Sequence, residues 1–371
     1  MRYESTKESV VTVNDKSNRR RRSAPTIRDV ARMANVSSMT VSRVINGEAN
    51  VRPTTRDAVN AAISALSYSP NSAARSLAGA GQDRIGLLYS NPSAAYLSEF
   101  LVGSLDQASR SDVQLIIEKC DLGDHEVEVA KHLIASGIDG LILPSPLCDS
   151  VNLIKTIAAE GVPAVLVGSG RPAKDLFAVS IDEFAAAYSM TNHILALGHQ
   201  RIGFVVGNPA QTASDERLRG YRKALADANI PADEALIASG LFTYRSGLDA
   251  AEKLLDVADP PTAIFASNDD MAAATVAVAH RRGLDVPGDL TVCGFDDTTL
   301  ATAIWPELTT IHQPIAEMSR AAVEMLVATI RRRGVAAPEG EQHVVLDFTL
   351  VRRQSDAAPR RRPPTLPVSA G

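Results

Sequence analysis

Between Ser37 and Gly47 the chain carries Ser38, Met39, Thr40, Ser42 and Arg43, which offer small hydroxyls, one thioether and one guanidinium with no acid among them. An acid-free surface of this kind can approach phosphate oxygens, and the guanidinium fork of Arg43 has the geometry to read a guanine edge. A second set of reactive side chains lies far along the chain. Ser90-Asn91 follows one apolar run, Asn268-Asp269 follows another and Asp296-Asp297 a third, while Arg217 supplies a cation. Carboxylates, amides and a guanidinium at loop positions both accept and donate hydrogen bonds, which suits a polyhydroxyl ligand. Spacing alone leaves a second reading open, in which Asn268 and Asp296 merely cap the helices that follow them.

The first set needs short helices to hold it. Ile27, Val30, Ala31 and Ala34 recur at helical spacing behind a possible Thr26 cap. Asn35-Val36 breaks that pattern, and Ser37 can cap a second helix with Val41, Val44 and Ile45 turned inward, ended by Asn46-Gly47. Two helices so joined are either a helix-turn-helix or an ordinary helical hairpin. A third amphipathic helix opens at Pro53 and carries Ala58, Val59, Ala62, Ile63 and Leu66. It can cover the other two, which favours a three-helix DNA-binding headpiece over residues 25–69.

The second set needs a different scaffold. Strand-like runs at 85–89, 113–118, 140–143 and 164–167 alternate with helical runs at 97–110, 126–136 and 153–160. The pattern restarts with strands at 201–206, 262–266 and 290–294 and helices at 215–229, 246–257 and 270–282. Continuous apolar strands separated by helices imply a parallel sheet covered on both faces. Two such units in tandem predict two doubly wound lobes, with ligand bound beyond the carboxyl ends of the strands.

Composition bounds the function. At 371 residues, with 45% hydrophobic and 22% charged residues, the chain should hold two or three globular domains. No apolar run is long enough to cross a bilayer and the polar N-terminus is no signal peptide, so a cytoplasmic protein is expected. Cys120, Cys148 and Cys293 are scattered and lack metal-ligand spacing, as buried thiols of a reducing compartment would be. The whole-chain charge of −5 hides an asymmetry: residues 1–79 hold 13 Lys and Arg against 6 Asp and Glu, a balance of +7, which leaves −12 on the rest. A basic head on an acidic body fits a nucleic-acid-binding module joined to a body that avoids nucleic acid. Residues 1–24, ending in Arg19 to Arg22, read as a disordered basic arm that is either a phosphate-contacting segment or a solvated leader.

The run from Thr26-Ile27-Arg28-Asp29-Val30-Ala31 through Thr40-Val41-Ser42-Arg43-Val44-Ile45-Asn46-Gly47, followed by Leu66 to Gly79, resembles the signature of the lactose/galactose repressor family. The likeness continues to about Ser355. Gly207-Asn208-Pro209, Glu216-Arg217, Ser267-Asn268-Asp269-Asp270, Gly294-Phe295-Asp296-Asp297 and Pro306 to Ile311 look like its effector-domain motifs.

That resemblance implies an N-terminal headpiece, a hinge helix and linker over residues 70–82, a periplasmic-binding-protein-like body over 83–355 and a disordered tail over 356–371. It implies DNA contacts by Thr26, Ser37, Ser38, Met39, Thr40, Ser42, Arg43, Asn46, Asn50, Asn71 and Arg75. Leu77 would wedge into the minor groove. It places Ser90, Tyr96, Arg217, Phe242, Asn268 and Asp296 at effector-contact positions, with Phe242 stacking on the ligand. A sugar or sugar derivative is the expected effector; a purine or sugar acid is the alternative. The chain would cross between lobes near Asp182, Thr310 to Pro314 and Val344 to Leu350. With no heptad in the tail, a homodimer is expected rather than a tetramer.

Where the lactose repressor presents a tyrosine and a glutamine to the bases, this chain has Ser38 and Met39, so its operator should differ. An enzyme is the first rival, but the chain has no Gly-x-x-x-x-Gly-Lys, Gly-x-Gly-x-x-Gly, Gly-x-Ser-x-Gly or His-Glu-x-x-His motif. His193 and His199 read as loop or surface residues. The second rival, a secreted sugar receptor, is opposed by the headpiece. No cofactor or metal is expected. The sequence points to a DNA-binding regulator of carbohydrate genes, most simply a repressor, controlled by a small effector.

Overall fold

The computed structural model describes residues 26–45, 51–66, 82–121, 123, 125–172, 176–332 and 342–360. These fall into two compact units divided between Gln82 and Asp83. The arm, the hinge segment up to residue 81, and Asn46, Asn50, Asn71, Arg75 and Leu77 lie outside the described residues.

The first unit contains α1 (Ile27–Met33), α2 (Ser38–Ile45) and α3 (Pro53–Leu66). Asp29 anchors the start of α1 by accepting from the backbone N–H of Thr26 at 2.9 Å and from its hydroxyl at 2.7 Å. Asn35 turns the chain between α1 and α2 with φ +51°, a conformation that a short polar side chain tolerates. Val30, Ala31, Val41, Val44, Val59 and Ala62 form the core, flanked by Ile27, Ala34, Val36, Ile63 and Leu66. Ala58, expected on the inner face of α3, is exposed instead. Val59 and Ala62 define the buried stripe, and Ala58 falls just outside its width.

The second unit is built on two parallel sheets. The first sheet runs, in spatial order, β11 (His343–Leu346), β5 (Phe177–Ile181), β4 (Ala164–Val167), β3 (Gly140–Pro144), β1 (Arg84–Tyr89) and β2 (Gln114–Lys119), all parallel. The helices α4 (Ala94–Arg110) and α12 (Ile315–Arg332) pack together on it, as do α5 (His125–Ala135) and α6 (Val151–Ala159). The second sheet is β7 (Ile237–Ser239), β6 (Ile202–Val206), β8 (Ala263–Ala266) and β9 (Thr291–Cys293), also parallel. Around it, α7 (Glu183–Ala196) packs on α8 (Thr212–Asp227), and α9 (Tyr244–Leu255) packs on α10 (Asp269–Arg281). Strands β3, β4, β6 and β8, and β1 after Arg84, are apolar because both faces are covered.

The chain passes between lobes three times. It leaves β5 for α7 at Asp182, leaves β10 (Thr310–His312) for α12, and leaves β11 for β12 (Thr349–Val351), which pairs antiparallel with β10. These are the three crossings that the resemblance implied. Several crossing strands allow a change of lobe angle without unfolding either lobe.

Two expectations fail. Residues 356–360, expected to begin a disordered tail, lie against the second lobe. The Ser355 hydroxyl donates to the Val292 carbonyl at 2.6 Å, and the Ala357 carbonyl accepts from Thr291 at 3.0 Å. His193 and His199 hold this strap: the loop-or-surface expectation fails for His193, which is half-buried on α7, whereas His199 does lie in the loop after α7 but is buried there. His193 Nε2 lies 2.9 Å from the buried Asp356 carboxylate, and His199, 2% exposed, lies 2.8 Å from both the Ala357 carbonyl and the Thr262 hydroxyl. Burial holds the His199 pKa below the ordinary imidazole value. The three cysteines are free and buried, as expected. No described helix is long and apolar enough to cross a membrane.

Candidate functional site

On α2 the residues expected to meet DNA form one outward face. Met39 is 65% exposed, Ser38 and Arg43 are exposed, and Thr40 and Ser42 are half-buried. Ser37 caps the helix by accepting the Thr40 backbone N–H at 3.1 Å, and the two hydroxyls share a bond of 2.9 Å. Thr26, Ser37 and Thr40 thus spend hydroxyl groups on local structure. Ser38, Met39 and Arg43 are the exposed residues of that face, with Ser42 half-buried beside them. The aligned N–H groups at the start of α2 add positive potential there.

In the second unit a narrow cleft opens between the lobes at the carboxyl ends of the strands. Five of the six expected effector contacts line it: Tyr96, Arg217, Phe242, Asn268 and Asp296. Ser90, the sixth, is not among the lining residues, because the loop after β1 presents Asn91, Pro92 and Ser93 there instead. Asn91 Oδ1 accepts from the Ser93 backbone N–H at 2.8 Å, and the Ser93 hydroxyl caps α4 by accepting from Tyr96 N at 3.3 Å. That cap sets the Tyr96 ring into the cleft wall, where burial pushes its phenol pKa up.

Arg217, in the second turn of α8, is almost wholly buried. Its Nε donates to Glu183 at 2.7 Å, one terminal nitrogen donates to the Ser267 carbonyl, and the same nitrogen lies 4.0 Å from Asp296. Its guanidinium centre sits 3.5 Å from the centroid of the Phe295 ring and 5.8 Å from that of Phe242. Desolvation works against its charge, but Glu183 and Asp296 more than offset that and hold its pKa above the ordinary value.

Asp296 has φ +107° and accepts from Gln313 Nε2 at 2.6 Å. Burial pushes its pKa well up despite the nearby guanidinium. It caps no described helix, since Thr298 stands at the N-cap of α11 (Thr299–Ala303). Asn268 does cap α10, accepting the Met271 backbone N–H at 3.0 Å, while its amide donates to the Phe242 carbonyl at 3.1 Å. The capping alternative therefore holds for Asn268 and fails for Asp296. Phe242 occupies the left-handed region with φ 58°, and its ring lies over Gly207, where a Cβ would stand 1.9 Å from the ring. Only glycine at 207 lets the aromatic face reach the cleft.

Sequence reasoning missed Ser93, Ser145, Glu183, Gln211 and Gln313 as lining residues. Glu183 and Gln313 follow two of the crossings between lobes, and polar residues beside such crossings were a usable signal. Ser145 and Gln211 carried none. They meet across the cleft, with the Ser145 hydroxyl donating to Gln211 Oε1 at 2.7 Å, and the Ser93 hydroxyl likewise donates to Asp270 Oδ2 at 2.6 Å.

Comparison with known proteins bears on both units. Residues 26–71 match the bacterial regulatory proteins of the lacI family, and residues 191–355 match the periplasmic binding protein-like domain. Catabolite control protein A of Priestia megaterium is 34% identical over 312 residues, covering 84% of this chain and 94% of its own. Among solved structures, the transcriptional regulator CelR–cellobiose complex superposes with a TM-score of 0.69 at 32% identity, over 89% of this chain and 99% of that one. The lac repressor dimer bound to operator and the anti-inducer ONPF gives 0.69 at 28% identity, over 91% and 100%. A likeness of this extent, running through headpiece and two-lobed body alike, places the chain in the lacI family of bacterial regulatory proteins.

Proposed function

We propose that this protein is a homodimeric repressor of carbohydrate uptake or catabolic genes whose operator affinity is set by a sugar or sugar derivative held between the lobes. Its membership of the lacI family makes it a DNA-binding transcriptional regulator. One observation carries the sugar reading: Tyr96, Arg217, Phe242, Asn268 and Asp296, distant in sequence, converge on a single cleft. An aromatic face beside a carboxylate, an amide and a guanidinium is what a polyhydroxyl ring needs, since the ring is apolar on its faces and polar at its rim. In the same reading Ser38, Met39, Ser42 and Arg43 read a major groove.

Ligand binding shifts the population between two lobe angles, and the difference in operator affinity between them is the regulatory output. A coupling of roughly 1–3 kcal/mol, about 5- to 150-fold, is usual for such a device. A thermal-shift screen of sugars, sugar acids and purines on wild type and on Asp296→Ala tests the site. The expected result is stabilisation by a sugar that vanishes in the variant. Undiminished stabilisation of Asp296→Ala would move the effector elsewhere. Retardation of an operator duplex with and without that sugar then tests the coupling.

A further inference from the structure

The cleft's charge inventory says more about the ligand than that it carries hydroxyls. Among the described residues that line it, Arg217 is the one cation. Its guanidinium is already engaged by Glu183 at 2.7 Å and by the Ser267 carbonyl, with Asp296 at 4.0 Å. All three charged side chains are at most 6% exposed, so water does little to screen them. With Glu183 ionised against Arg217, the wall carries a balance of −1 when Asp296 is ionised and of zero when it is protonated. In neither state is there an unmatched positive charge. Two further acids lie behind the lining: Asp149 accepts from Thr212, next in sequence to the lining residues Gln211 and Ala213, at 2.9 Å, and Asp270 accepts from the lining residue Ser93 at 2.6 Å. The remaining polar lining, Asn91, Ser93, Ser145, Gln211, Asn268 and Gln313, is neutral.

We infer that the cleft selects an uncharged polyhydroxyl ligand and rejects its phosphorylated or carboxylated analogues, with Glu183 as the residue that sets this discrimination by neutralising Arg217 within the cleft wall. This deepens the sugar reading above and rests on it. A phosphate or carboxylate entering the cleft would lose its hydration and meet a guanidinium whose charge is already matched, beside carboxylates of its own sign. A neutral hydroxyl meets no such penalty: it can donate to Asp296 and accept from the remaining N–H groups of Arg217. The ligand is then the form of a sugar that exists after uptake or glycoside hydrolysis and before a phosphotransfer step. The reaction that removes the signal is phosphorylation of that sugar.

Calorimetric titration of the full-length protein with matched probes decides the matter: glucose, glucose 6-phosphate and glucuronate, the same three forms of galactose, and cellobiose with cellobionate. The expected result is that a neutral probe binds at least roughly 100-fold more tightly than its anionic partners, the scale that like-charge juxtaposition produces. In Glu183→Gln, which keeps an acceptor for Arg217 but removes the charge, the gap should narrow about tenfold, mostly by gain for the anions. Anions that bind wild type as well as their neutral partners overturn this inference while leaving the sugar reading intact. Absence of binding by every probe overturns the sugar reading itself and this inference with it. A gap unchanged in a folded Glu183→Gln removes Glu183 from the role, and the wild-type titrations decide the charge preference even where that variant does not fold.

Discussion

The Asp149 carboxylate, in the first lobe, accepts both the backbone N–H and the hydroxyl of Thr212, the first residue of α8 in the second lobe, at 2.9 Å each. The helix's own N-cap residue, Gln211, makes no side-chain capping bond. A helix of one lobe is thus capped by the other, and Ser169 adds a bond to the same carboxylate at 2.8 Å. The carboxylate also faces the positive end of the helix dipole. The two bonds to Thr212 exist only while the lobes are close, so they favour the closed angle. Loss of a cap costs about 0.5–2 kcal/mol. Asp149→Ala should therefore enlarge the radius of gyration of the ligand-free protein in X-ray scattering and weaken ligand binding roughly 2- to 30-fold. Unchanged scattering and affinity would show the closed angle to be held by other contacts.

Gly207 and Phe242 make a second sharp test. A Cβ at 207 would overlap the Phe242 ring, with the three nearest atoms all belonging to that ring. Gly207→Ala should swing the ring out of the cleft and weaken sugar binding about tenfold, the order of one aromatic contact. Thermal stability should change little, because Phe242 is only partly buried against the lobe core. A large fall in melting temperature with ligand affinity intact would mean that the ring packs for structure.

The buried pair of Glu183 and Arg217 predicts an asymmetric response. Removing one partner strands the other without water, at a cost of about 3–5 kcal/mol, whereas replacing both with neutral residues of similar size restores much of that. Arg217→Met alone should lower stability by this amount in denaturant titration. Arg217→Met with Glu183→Gln should be markedly more stable than the single variant. Additive losses in the double variant would show the pair to be weakly coupled.

How much of this was legible in advance depends on the kind of signal. Val30, Ala31, Val41 and Val44 sit at helical spacing, and the apolar runs of β1, β3 and β6 are continuous, so periodicity alone finds the headpiece and both sheets. Strand β5, helix α7 and the short β7 escaped because Phe177–Ile181 and Ile237–Ser239 are brief and α7 mixes polar and apolar residues around its axis, with Glu183 and Thr191 among its buried ones. Tyr96, Arg217, Phe242, Asn268 and Asp296 were found through motif resemblance, since no local pattern brings residues so far apart together. Ser145 with Gln211 and Asp149 with Thr212 were invisible, because each exists only across two lobes. The strap at 356–360 was misread as a tail because its binding uses carbonyls and histidines of the second lobe rather than any periodicity of its own.

Asp269 supplies a pH prediction. It is fully buried, and desolvation pushes its pKa up to about 7 even though Thr310 and Thr298 donate to it. The unfolded chain releases this proton near pH 4. Between about pH 4 and 7 the unfolded state is then ionised while the folded state keeps its proton, so ionisation of the unfolded chain draws the equilibrium toward unfolding as pH rises. Above about 7 both states are ionised and the effect levels off. Asp269→Asn cannot titrate. The stability of wild type relative to this variant should fall from pH 4 to 7 and then stay flat. A difference that stays flat across that range, or one that grows in wild type's favour, would show that the threonine donors hold Asp269 ionised in the folded protein.

Arg43 and Met39 set the last expectation, which concerns operator choice. Met39 is 65% exposed on α2 and cannot make the bidentate contact to adenine that an amide makes; its thioether suits an apolar surface such as a thymine methyl. Arg43, on the same exposed face, has the fork for a guanine edge. Binding selection from a randomised duplex should return a half-site with one strongly required G·C pair. Arg43→Ala should cost about 1–3 kcal/mol on that site and relax the requirement at that pair alone. Met39→Gln should instead shift preference at a neighbouring pair toward adenine, with little loss on nonspecific DNA. A phosphate contact behaves differently, because it weakens binding to every sequence alike and lowers the salt dependence by about one ion. Uniform loss across the selected pool in Arg43→Ala, together with a shallower salt slope, would therefore reassign Arg43 to the backbone and leave base discrimination to Ser38, Met39 and Ser42.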